Sequence, residues 1–158
     1  MKLKTHYTFS MGIISLALVI GGMPFLIALG ISFVVSVAGN WIIDKCGHEI
    51  TEAGRIGGRS PRTHTVPKSI GWGLLSSIPL LFFTFLFHNS YIAYMILTIT
   101  AGVIVGPSHM LLDSLTEQGI YVRKNGEWKR AALAHRKFDD PLGNGLAVIA
   151  GIVMVVLA

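Results

Sequence analysis

The sequence predicts an all-α fold, a polytopic membrane helical bundle of about five spans with two long cytoplasmic loops. Three observations carry this. Hydrophobic residues make up 52% of the 158 and charged residues only 13%, against about 25% charged in a soluble domain. The charges fall in three windows, residues 2–4, 44–68 and 113–140, and the stretches between them carry none. Five of the six histidines, all but His88, lie in or beside those windows.

A chain this small cannot hide so much apolar surface in one aqueous core. Its net charge of +5 is juxtamembrane, so anionic lipid and the positive-inside rule account for it and no nucleic-acid partner is expected. The single cysteine, Cys46, excludes an internal disulfide.

The elements follow in order. Phe9 to Ile43 is uncharged and too long for one span of about 20 residues. Gly21-Gly22-Met23-Pro24 interrupts it as a turn. The two predicted helices are therefore Tyr7–Gly21, which is short, and Pro24–Ile43. Lys2 and Lys4 before an apolar run resemble a signal peptide, but no small-residue cleavage pattern follows, so the run is read as a retained helix. Ser69–Phe87, Tyr91–Leu112 and Leu142–Ala158 are the remaining predicted spans.

The loops alternate. Gly21–Pro24 and His88–Ser90 are short and uncharged, whereas Asp44–Lys68 and Asp113–Pro141 carry nearly all the charge. That bias places the amino terminus and both long loops in the cytoplasm. The Gly/Arg stretch Gly54–Arg62 reads as a flexible loop. The chain divides into a helical core with a metal site over 1–120, and a cytoplasmic loop plus a C-terminal spanning helix over 121–158.

Topology gathers the polar residues. The first two helices form a hairpin, which returns His6 to Asp44 and His48. The third helix starts after His64, and the fourth ends at His109 and Asp113. His109 and Asp113 are spaced i and i+4, one above the other on a helix face. Asp44 and His48 share that spacing, although Gly47 is placed to end the helix between them. Ionisable residues closing an apolar helix are costly and usually functional. Imidazole with carboxylate suits a divalent metal, zinc first, with manganese or iron as alternatives; clustered thiols are lacking. The candidate metal ligands are His6, Asp44, His48, His64, His109 and Asp113. His88, at the opposite end, reads as interfacial.

These motifs together resemble the YdjM-like family of inner-membrane metal-dependent hydrolases, with an archaeal branch of small membrane proteins close to it. The family opens with a histidine before the first helix, then Phe-Ser; here that is Thr5-His6-Tyr7-Thr8-Phe9-Ser10. Its last motif, Ser-His-x-x-x-Asp-x-x-Thr-x-x-Gly, is met position by position from Ser108 through His109, Asp113 and Thr116 to Gly119. Arg62-Thr63-His64-Thr65 matches the third motif in part, and Ser60-Pro61 stands where that motif has its first histidine. Where the family has Asp-x-Asp-His the chain reads Asn40-Trp41-Ile42-Ile43-Asp44-Lys45-Cys46-Gly47-His48, so one acidic ligand is either replaced by Asn40 or lost. The resemblance covers roughly residues 5–120 and implies metal binding and hydrolysis.

Two expectations result. In the first, a metal lowers the pKa of water, and the hydroxide formed attacks an ester or phosphoester at the cytoplasmic membrane face. Glu49 or Glu117 would be the general base. Arg55, Arg59 or Arg62 would hold a phosphate, with His135 as a further substrate contact. Headgroup depth suggests a lipid or lipid-linked substrate. In the second, the metal is structural and the protein is a membrane scaffold that binds a partner. A transporter would need ionisable residues near the midplane, where the spans have none.

Overall fold

The structure, a computed structural model, describes residues 1–50, 56–87 and 92–158. Five helices dominate it. They are α1 (Leu3–Ile20), α2 (Phe25–Gly47), α3 (Val66–Phe87), α4 (Ile92–Ser114) and α5 (Pro141–Leu157). The first four are long and apolar enough to cross a membrane. α5 is a shorter apolar helix of 17 residues. The predicted bundle is thus present as four helices of spanning length and a shorter fifth.

The charged windows are not plain loops. β1 (His48–Ile50) pairs antiparallel with β2 (Ile56–Arg59), and β3 (Ile120–Lys124) with β4 (Glu127–Ala131). This corrects the all-α expectation and the flexible reading of the Gly/Arg stretch, of which Gly54 and Arg55 lie outside the described residues. The β3–β4 ribbon has a local cause. Asn125 and Gly126 both take positive φ, 53° and 84°, the pair a tight hairpin turn requires. Tyr121, Val122 and Trp128 beside it favour strands.

α1 starts at Leu3, four residues before the predicted boundary, after an extended Lys2. His6 therefore belongs to its first turns. Gly21 and Gly22 break the chain, and Pro24 opens α2 with φ −57°, a value its ring imposes. Asp140 caps α5: its carboxylate accepts from Gly143 N–H at 3.0 Å, with Pro141 at the first helical turn.

Helix pairs meet through glycine. A Cβ on Gly12 would collide with the backbone of Gly151, which brings α1 against α5. A Cβ on Gly73 would collide with the Gly102 carbonyl, and one on Gly106 with Ser69, which joins α3 to α4. Small residues serve helix contacts where lipid surrounds the bundle. One end of the bundle is filled by Ile14, Leu18, Met23, Ala28, Val35, Ala101 and Val105. Buried hydroxyls join helices too: Ser15 with Ser32 at 2.6 Å at the level of this cluster, and Ser10 with Ser108 at 2.7 Å closer to His109. That polar seam leads to the histidines.

Candidate metal centre

Four side chains converge at the end of the bundle that carries the charged windows: Asp44 from the last turn of α2, His64 from the turn before α3, and His109 with Asp113 from the last turns of α4. His64 Nε2 lies 3.6 Å from Asp44 Oδ1 and 3.5 Å from Asp113 Oδ2. His109 Nε2 lies 3.4 Å from Asp44 Oδ1 and 3.0 Å from Asp113 Oδ2. Zinc bonds of about 2.0–2.1 Å imply tetrahedral donor–donor edges of about 3.3–3.4 Å. The four measured edges bracket that value.

The donors are also left over by the protein's own hydrogen bonding. Among the described residues, His64 Nε2, His109 Nε2 and Asp113 Oδ2 are buried and find no hydrogen-bond partner. His109 and Asp113 approach within 3.0 Å yet are not aligned as a hydrogen bond. Buried polar atoms rarely remain unsatisfied. Here they point at one another's neighbourhood, as ligands of a common cation do.

The far side of each ring sets its tautomer. Asn40 Nδ2 donates to Ser36 O at 2.7 Å and Ser10 Oγ at 3.1 Å. Its Oδ1 faces His109 Nδ1 at 2.8 Å. An amide oxygen only accepts, so Nδ1 of His109 donates. Thr63 Oγ1 gives its proton to Ile43 O at 2.8 Å and must accept from His64 Nδ1 at 2.9 Å. Both rings then present Nε2 as a lone pair when neutral. Burial pushes the His64 imidazole below its usual 6.5, which keeps that lone pair available.

Local sequence explains the approach. A Cβ at Gly47 would sit 2.5 Å from His64 Nδ1 and closer still to Thr63 Oγ1. Only glycine lets the 60–65 turn close over the end of α2. Ser60 N–H donates to Gly47 O at 2.7 Å, and Tyr121 N–H to His64 O at 2.8 Å. The β3–β4 ribbon therefore braces the turn from outside.

Asp113 divides its oxygens. Oδ2 faces the four-donor position. Oδ1 takes His6 Nε2 at 3.1 Å, the Met1 amino group at 3.4 Å and a short contact from Arg59 Nη2. Arg59 is 6% exposed, and its Nη1 donates to Thr116 Oγ1 and Gly119 O at 3.0 Å each. His6 stacks on His109 with ring centroids 4.0 Å apart.

The structure places the predicted residues unequally. Asp44, His64, His109 and Asp113 come together, with His6 beside them. His48 begins β1, bonds the Asp44 carbonyl through Nδ1 at 2.7 Å and meets the His64 ring edge-on at 5.4 Å. Its ring therefore serves the end of α2 rather than the four-donor group. Glu117 is exposed in the turn after α4, its N–H donating to Arg136 O. Arg62 is exposed and lends its carbonyl to Trp72 Nε1. His135 is exposed after β4. The side chain of Glu49, like Arg55 and His88, lies outside the described residues. Gly47 and Thr63 carry functions the sequence reading did not assign; an Asn inside an apolar helix was the readable signal for Asn40.

A family profile described as a protein of unknown function, DUF1286, matches residues 1–112. The chain belongs to that family. The DUF1286 match includes Asp44, His64 and His109 and stops one residue before Asp113. No curated protein and no solved structure gives a significant match.

Proposed function

We propose that this protein is an integral membrane metal-dependent hydrolase acting on an ester or phosphoester, with a lipid or lipid-linked substrate, at the cytoplasmic membrane face. The observation that supports it is the convergence of two imidazole nitrogens and two carboxylate oxygens, three of which, His64 Nε2, His109 Nε2 and Asp113 Oδ2, the fold leaves buried without hydrogen bonds. This donor set suits zinc, and also manganese or iron; structural zinc sites are usually thiolate-rich. A divalent ion there supplies Lewis acidity, which activates water and offsets charge developing on a substrate oxygen.

The chain's own residues do the rest. Asn40 and Thr63 orient the two rings. Arg59 holds the Asp113 carboxylate in one rotamer. The Asp44 side chain, 22% exposed, marks the side from which substrate and water reach the centre. The basic windows 45–68 and 123–137 lie at this same end, which supports the cytoplasmic orientation. The resemblance to the YdjM-like hydrolases agrees with this reading.

One observation favours a structural metal instead. All four donors come from the protein, as in closed sites, and they tie α2, the 60–65 turn and α4 together. The test is elemental analysis of detergent-purified protein with His109→Ala and Asp113→Ala variants, followed by hydrolysis assays on carboxylic ester, phosphomonoester and phosphodiester panels. Near-stoichiometric metal lost in both variants, with turnover lost alongside, supports the hydrolase. Stoichiometric metal without turnover on any panel leaves the structural role. Protein that stays folded and binds no added metal sinks both.

A further inference from the structure

Given a metal ion among the four donors, as proposed above, we propose that Arg59 stands as a built-in cation where a second metal ion would bind Asp113, so that the centre is mononuclear. A carboxylate shared by two ions gives one oxygen to each. Asp113 is poised for that: Oδ2 is free toward the four-donor position, and Oδ1 faces away from it, toward His6 Nε2 at 3.1 Å. An imidazole nitrogen beside a carboxylate oxygen is the beginning of a second site. The Arg59 guanidinium is already there, in short contact with the same Oδ1.

The guanidinium is built into the fold. It is buried, and its other amino group is fixed between Thr116 Oγ1 and Gly119 O at 3.0 Å each. The backbone of Arg59 is held too, because Tyr121 Oη donates to its carbonyl at 2.9 Å. A carboxylate oxygen offers about two lone-pair sites, and Arg59 and His6, the nearest of its three neighbours, fill them, with the Met1 amino group farther off at 3.4 Å. A dication bonded to Oδ1 would also face a fixed positive charge in a low-dielectric setting. His6, in consequence, is a positioning residue packed on His109 rather than a metal ligand.

Manganese(II) titration of the detergent-purified full chain, read by electron paramagnetic resonance and elemental analysis, tests this. The wild type is expected to bind one manganese per chain with an uncoupled six-line signal. His6→Ala should keep that stoichiometry. Arg59→Lys, which keeps the charge, should also bind one. Arg59→Gln, which loses the charge but keeps a donor for Thr116 or Gly119, should admit a second ion and show exchange coupling. Two coupled ions in the wild type, or a fall from two to one in His6→Ala, overturn the proposal. One ion in Arg59→Gln overturns the role given to Arg59. If Arg59→Gln does not fold, the wild-type and His6→Ala stoichiometries still decide. Protein that binds no manganese, zinc or iron removes the metal reading itself, an outcome distinct from a dinuclear centre.

Discussion

Asn40 shows how one uncharged residue tunes a charged site. It is fully buried in α2, and its amide is committed on both sides: Nδ2 to Ser36 and Ser10, Oδ1 to His109. Leucine at this position fills a similar volume but leaves His109 Nδ1 without an acceptor. Loss of such an outer partner typically weakens metal binding about 10–100-fold. Asn40→Leu is therefore expected to reduce affinity in that range in a chelator competition assay, and Asn40→Asp, which keeps an acceptor, to restore much of it. Unchanged affinity in Asn40→Leu would show that the ring orientation is set elsewhere. At this scale the sequence was partly legible. His109 and Asp113 stand out because titratable residues in an apolar helix need a reason, and Asn40 stands out for the same reason. Arg59 does not, because an arginine in a basic loop looks like its neighbours until the fold buries it. Arg62, three residues on, remains exposed.

At the scale of elements, apolar run length located the helices, while hydrogen bonding within the charged windows was missed. Asn125-Gly126 is a hairpin signal, but it sits among lysines and arginines that read as a positive-inside loop. The turn carrying His64 depends on Gly47 in a similar local way. Gly47→Ala places a methyl group against Thr63 and His64, so the turn must lift. The variant should keep its helical circular dichroism and lose bound metal; metal retained at wild-type affinity would mean the turn has slack. α5 depends on its cap. Asp140 accepts from Arg136 and from Gly143 N–H. The Arg136 hydrogen bond is the main reason its carboxyl is held below the ordinary value of 3.8, with the Gly143 N–H second. The folded pKa is the lower one, so the unfolded chain takes up its proton first. The cap's stabilisation is present above 3.8 and fades as pH falls through the folded value. Asp140→Ala should melt below the wild type at neutral pH, and the two curves should converge in strong acid. A gap that persists there would assign the stabilisation to something other than the ionised carboxylate.

For the whole molecule, the sidedness of the charges was the most legible property, because the cost of charge in a bilayer leaves little choice. It also allowed residues distant in sequence to be placed at one end of the bundle. It could not say which of them share a point in space, since that depends on the 60–65 turn and its ribbon braces. The same division predicts the effect of metal removal. α1 to α4 satisfy their own backbones and pack through apolar and small residues away from the centre. The 60–65 turn is no helix and rests on single hydrogen bonds to α2 and β3, from Ser60 N–H to Gly47 O, Thr63 Oγ1 to Ile43 O and Tyr121 N–H to His64 O, and one of the four donors is its own. A ligand at about 100 times its Kd stabilises the state it binds by about 2.7 kcal/mol. Chelation is therefore expected to lower the melting temperature of the wild type and to leave Asp113→Ala unaffected. Hydrogen exchange should locate the loss, with faster exchange in the 60–65 turn and the last turn of α2 and little change in the body of α4. Acceleration spread over all four long helices would mean instead that the ion holds the bundle itself, and would favour the structural reading of the centre over the hydrolytic one.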